Sequence, residues 1–350
     1  HDKNSEPWSI LSAKVIENDA DYVGFFPILI DLDEKVPGKL YTELSILGVT
    51  DANHVPFICF PEYEKALAQA FAQYLQHHEV WSVLKIGNVL TTDTRLNLFL
   101  EHFSEESYNV QELRHINDVD SIDNNIVPYV ALPDTWDSYL KNTLSSNTRQ
   151  KIRRLLRKIE QNDEFQITQT TVETLDRHIK VLLDFWKKSW TGRKGDNHCR
   201  NIIEHAEVNL RHCFENACLY LPVLWRDNQP LGAIANLVDR QKKDILFFIG
   251  GRDETVRNLS TGVILHALGI QFAIQNGFRV YDFLMGNEAY KFSLGAQSRR
   301  IKIVSLESRD KTEAFYKLNV RTLPQALQVA SIYHQVNRLE EAKHSYRQIL

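Results

Sequence analysis

Along residues 1–133 short apolar runs alternate with turns rich in Asn, Asp, Pro and Gly, and no run exceeds the length of a strand or short helix. Aromatic and β-branched residues gather at 8–16, 22–31 and 43–49, which predicts three strands, the first two paired. The period then changes. Leu67, Ala70, Phe71 and Tyr74 recur at helical spacing over 61–77, with Pro61 at the start, where a missing N–H costs little. A strand over 79–86, a helix over 92–102 and a strand over 125–132 complete an α/β order.

In the second half Asp134 is expected to cap a helix reaching 139, and 145–147 to open another whose Ile152, Leu155, Leu156 and Ile159 turn inward. Helices follow at 174–190 and 201–213, separated by a polar turn at 190–195. Three strands in a meander (218–226, 231–238, 244–249) lead through a polar loop to a helix opening near Thr261, a strand over 279–284 and a Gly-punctuated segment ending at 288–291. Past 306 the helical pattern resumes.

Strand, polar loop and helix in that order make an anion site. A helix N-terminus leaves backbone N–H groups without partners and carries partial positive charge, so the loop at its mouth can hold a phosphate. Within the loop Arg257, Ser260 and Gly262 stand at offsets 0, 3 and 5. This spacing resembles the acyl-CoA pyrophosphate loop of the GNAT acetyltransferases, Q/R-x-x-G-x-G/A, with serine at the first glycine. The later run Asp282-Phe283-Leu284-x-Gly286-x-Glu288-x-Tyr290-Lys291 is similar to the CelD-like branch of that superfamily, named for cellulose-biosynthesis proteins.

The resemblance implies two GNAT-like halves, each a mixed, mostly antiparallel sheet flanked by helices, at 1–133 and 134–310, then a helical tail at 311–350. It implies acetyl-CoA or another acyl-CoA as co-substrate, wedged between splayed strands, with Arg257, Asn258, Leu259, Ser260, Thr261 and Gly262 cradling the pyrophosphate. Asp282 and Glu288 become candidate bases, Tyr290 the proton donor to the departing thiolate, and Lys291 a charge stabiliser. An acid on an apolar strand is costly unless paired, so Asp282 reads equally as a buried salt bridge. An amine is the expected acceptor, on a polysaccharide or its nucleotide-sugar precursor.

Six cations, Arg149, Lys151, Arg153, Arg154, Arg157 and Lys158, crowd the helix that opens at 145–147. They read either as a solvated face or as an anion contact. CelD-like proteins show a similar basic helix here, which implies that Arg149 and Arg153 meet an anionic part of the substrate or the CoA phosphates. Lys291, Phe292 and Gly295 also resemble the F-K-x-x-F-G segment of Fem-type peptidyltransferases, so aminoacyl transfer from tRNA is the alternative reaction. A non-catalytic scaffold is a third reading.

Composition narrows the choice. A formal charge of −4 and 25% charged residues give no overall basic field for nucleic acid, leaving tRNA to the alternative alone. Four cysteines in 350 residues make no disulfide framework, and no apolar run approaches the ~18 residues of a membrane helix, so the cytoplasm is the expected compartment. His198-Cys199 and His212-Cys213 lack metal-ligand spacing, and no metal is expected. Ala330, Tyr333, Ala342 and Tyr346 stand at tetratricopeptide offsets, which implies a first repeat that binds a protein partner; a hairpin packed on the transferase is the other reading. A chain that starts without Met and stops inside a helical pattern looks cut at both ends.

Overall fold

The helix Thr261–Gln275 is apolar on nearly every side, a pattern stable only where protein surrounds it. Nine of its residues are buried, and Ile270, fully covered, contributes roughly 2 kcal/mol. What covers it is a mixed α/β layer structure, seen in a computed structural model that describes residues 7–17, 21–47, 55–117, 120–194 and 196–350. The chain divides into two units, 116–299 and 1–115 with 300–350.

In the unit 116–299 the strands run in the order Ile126–Ala131, Val280–Asp282, Asp244–Arg252, Gln229–Asp239, Pro222–Arg226, Phe165–Gln169. Every pairing is antiparallel except that between Asp244–Arg252 and Val280–Asp282. Successive strand residues point to opposite faces, and each face takes its own helices. Ser146–Glu160 and Thr261–Gln275 pack on the side of Leu224, Ile234 and Ile245, with Ile152, Leu155, Leu156 and Ile159 turned inward as the period predicts. Leu175–Lys194 and Asp196–Glu215 cover the side of Val223, Ala233 and Ile249 through Ile179, Leu182 and Leu210.

The other unit is built alike. Trp8–Ala13, Gly24–Val36 and Lys39–Ile46 pair antiparallel, Val83–Leu90 joins Lys39–Ile46 in parallel, and residues 301–308 of Gln297–Ser308 pair with Val83–Leu90 and Tyr108–Leu113. The crossover between its parallel strands contains the helix Glu64–His78, as Thr261–Gln275 lies between the parallel strands of the other unit. Its core centres on Phe26, Phe57, Phe71 and Phe99, with Phe26 and Phe99 edge to face at 5.5 Å.

Several boundaries differ from expectation. Residues 116–133 join the second unit, because Ile126–Ala131 pairs with Val280–Asp282. The tail is not a separate segment: Leu323–Gln335 and Leu339–Ile349 form a hairpin whose Gln348 bonds both the N–H and the C=O of Leu40, at 2.9 and 2.8 Å. Ala330, Tyr333 and Ala342 are buried there. Strand Gln297–Ser308 precedes that hairpin. The turn foreseen at 190–195 is helical through Lys194, and the helix expected to start at 201 begins at Asp196. Thr135 rather than Asp134 caps the short helix Trp136–Ser138, accepting from the Ser138 N–H at 3.1 Å. The end of the strand foreseen at 43–49 lies outside the described residues.

Candidate functional site

Among the described residues the one parallel pairing in the unit 116–299 is short. Asp244, Ile245 and Leu246 pair with Val280, Tyr281 and Asp282, after which the longer strand runs on alone on that side to Arg252. Its partner turns away, the Phe283 N–H donating to the Pro128 carbonyl at 2.9 Å. On its other side Asp244–Arg252 carries a bulge: Ala235 faces Ile249 and Asn236 faces Phe247, leaving Phe248 as the extra residue that bends the strand. A gap therefore opens between 247–252 and 283–290.

At the mouth of that gap the helix Thr261–Gln275 begins. Ser260 stands at its N-cap and supplies no side-chain hydrogen bond. Arg252, Arg257, Ser260, Thr261 and Gly262 line a cavity of about 370 Å³ here, with Leu259 beneath. Asn258, although in the loop, is exposed and outside the lining. Thr261 is buried, yet its Oγ1 has no partner among the described residues. Gly262 is small for a reason, since a Cβ there would lie 3.0 Å from Nη1 of Arg252. Orphan N–H groups, the helix's positive end and two guanidinium groups suit a phosphate or diphosphate. A second cavity of about 270 Å³, lined by Phe185, Lys188, Ser189 and 252–255, adjoins it.

Across the gap lie the four candidate catalytic side chains. Asp282 is buried in a salt bridge with Arg299, and its Oδ1 accepts from the Leu284 N–H at 2.8 Å. Lys291, 2% exposed, donates to the carbonyls of Met285 and Gly286 at 2.7 and 3.0 Å, with Glu288 Oε2 2.8 Å from its Nζ. That last contact is an ion pair, not an aligned hydrogen bond. Burial lowers the Lys291 pKa, against the pull of Glu288. Lys291 thereby braces the turn through Gly286, whose φ of +102° suits glycine. Tyr290 differs. It is 38% exposed, and among the described residues no hydrogen bond holds its hydroxyl. Burial first, then Glu288, raises its pKa, so at neutral pH it keeps its proton and remains a donor.

Two residues here escaped the sequence reading. Arg252 ends the strand and reaches the helix mouth. His266 is the sole titratable residue in Thr261–Gln275, a signal that a polar group has been placed deliberately inside an apolar helix. Its Nδ1 lies 3.0 Å from the Tyr281 hydroxyl, which donates to Asn236 Oδ1 at 2.9 Å. Burial, then Lys291 and Arg252, pushes its pKa down to about 3, so the ring is neutral. Arg149, bonded to the Lys141 carbonyl at 3.2 Å, and the exposed Arg153 line neither cavity.

Residues 146–292 match the family model for the acetyltransferase (GNAT) domain. The chain is similar in fold to FemX, at 12% identity and a TM-score of 0.58 over 85% of this chain and 88% of that one. It is also similar to the C-terminal domain of a putative lysylphosphatidylglycerol synthetase from Agrobacterium fabrum, at 11% identity and a TM-score of 0.50 over 89% and 86%. A conserved protein of unknown function from Bacteroides thetaiotaomicron aligns at 10% identity and 0.50 over 81% and 83%. No curated protein matches by sequence. The segment that matches the acetyltransferase (GNAT) domain contains the cavity at the helix mouth, the gap and all four candidate catalytic residues.

Proposed function

We propose that the protein transfers an acyl group, acetyl in the simplest case, from acyl-CoA to an amine. The observation that carries this reading is the uncapped N-terminus of Thr261–Gln275, flanked by Arg252 and Arg257, opening onto two strands that are parallel for only three residue pairs. The diphosphate sits at the helix mouth and the pantetheine arm enters the gap. The amine attacks the thioester carbonyl carbon, the bulged strand Asp244–Arg252 offers backbone N–H groups to the oxyanion, and the C–S bond breaks. Tyr290 gives its proton to the departing thiolate, and the phenolate so formed takes the proton that the attacking amine nitrogen sheds, which restores Tyr290 and leaves a neutral amide. Glu288 and Lys291 hold the turn that presents Tyr290, and Asp282 anchors the strand end through Arg299.

An acyl-CoA donor places the reaction in the cytoplasm. The amine of a polysaccharide or of its precursor is the acceptor we favour, on the CelD-like run at 282–291, and the tail hairpin is the candidate contact for a protein partner. A thermal-shift series with acyl-CoAs of increasing chain length tests the donor, because a ligand of the folded state raises the melting temperature. Acetyl-CoA at about 100 times its Kd stabilises by roughly 2.7 kcal/mol. Tyr290→Phe keeps that shift and loses turnover; no shift with any acyl-CoA sinks the proposal.

A further inference from the structure

His266 has no task in the reaction just described, yet it occupies a place where an idle polar group is costly. The hydrogen bonds around it fix its tautomer. The Tyr281 hydroxyl spends its single proton on Asn236 Oδ1, so the Nδ1 of His266, 3.0 Å from the same oxygen, must be the donor. Nε2 then carries a lone pair. The ring packs edge-on against Phe247 at 4.6 Å and lies 5.3 Å from Phe283 and 5.4 Å from Tyr290, the residues that flank the gap where the strands part. Charged groups acting on it are Lys291 from the 289–293 helix and Arg252 from the strand end; Tyr281 and Tyr290 are its titratable ring neighbours.

Position along the helix says what that lone pair meets. His266 is four residues beyond Gly262, hence on the same face as the cavity lining and one turn deeper, roughly 6 Å along the axis. A pantetheine arm leaving a diphosphate at the helix mouth passes this depth with its amide groups, well before its thioester.

We infer that Nε2 of His266 accepts a hydrogen bond from an amide N–H of the pantetheine arm, with Tyr281 and Asn236 as positioning residues that hold the accepting tautomer. This rests on the acyl-CoA reading above. It makes the helix a two-point reader, of phosphate at its first turn and of amide at its second, and distinguishes acyl-CoA from a bare nucleotide.

The test compares acetyl-CoA with adenosine 3′,5′-bisphosphate, which lacks the arm, by calorimetry on the full chain. His266→Phe weakens acetyl-CoA roughly fivefold to tenfold, the value of one hydrogen bond, and leaves the bisphosphate unchanged. Tyr281→Phe, which frees Nδ1 to exchange tautomers, weakens acetyl-CoA severalfold with the same selectivity. Equal acetyl-CoA affinity in His266→Phe and the parent overturns the inference while leaving the acyl-CoA reading intact. If His266→Phe does not fold, imidazole ¹⁵N spectra of the parent decide, assigned by the signal missing from His266→Gln. A shift of Nε2 with acetyl-CoA but not with the bisphosphate supports the contact, and an unmoved Nε2 at saturation overturns it. A parent that binds neither compound removes the acyl-CoA reading and this inference with it.

Discussion

At the scale of single residues, Lys291 and Tyr290 are neighbours with opposite commitments. Lys291 spends its ammonium on two carbonyls and a carboxylate, so its removal acts on the fold first. Lys291→Met leaves the Met285 and Gly286 carbonyls without their donor and costs about 2–4 kcal/mol in urea unfolding. A loss below ~0.5 kcal/mol with abolished turnover would instead make Lys291 a chemical participant. Sequence could name the run 282–291 but not divide its labour. Whether Asp282 is a base or a strut depends on Arg299, seventeen positions away, and no spacing rule links the two. His266 was visible as the one titratable letter in a largely apolar helix, but its meaning lies in Tyr281 and Asn236 on two strands that only the fold brings to it.

At the scale of elements, local pattern decided type well and ends poorly. The helix 146–160 is legible because Ile152, Leu155, Leu156 and Ile159 keep a helical period, and Ser145 caps it through the Thr148 N–H at 3.3 Å. The helix ending at Lys194 outran its predicted stop because Gly192 and its polar neighbours weaken a helix without breaking it, whereas a proline would. The tail's attachment was illegible for a different reason: it depends on Gly38, in the turn between Gly24–Val36 and Lys39–Ile46. Gly38 has φ +81°, and a Cβ there would stand 2.6 Å from the Cα and carbonyl oxygen of Glu341. Gly38→Ala therefore loosens the hairpin by about 1–3 kcal/mol. Limited proteolysis within 323–350 reads this as faster cleavage, while acetyl-CoA still protects the unit 116–299. Unchanged cleavage would mean that Gln348 and Ser345 suffice to hold the hairpin.

At the scale of the molecule, buried neutral histidines give stability a pH dependence whose sign can be worked out. His266 titrates near 6.5 when unfolded and is pushed down to about 3 when folded, by burial and then by Lys291 and Arg252. His178, held between Thr168 and Thr170, is lowered too, by burial and then Arg177. Between those limits the unfolded chain binds the proton and the folded one does not, so stability present above 6.5 is lost as pH falls. For His266 alone the loss between about pH 7.5 and about pH 5 is about 2 kcal/mol. Glu43, raised by burial, works in the opposite direction but is common to parent and variant. His266→Phe also loses its bond to Tyr281, so it starts less stable at neutral pH and then falls less on acidification. Urea unfolding at about pH 7.5 and about pH 5 should show the gap between the two proteins narrowing by about 2 kcal/mol. Parallel pH profiles would mean that His266 takes up its proton in the folded state, and the fixed tautomer assigned to it would go as well.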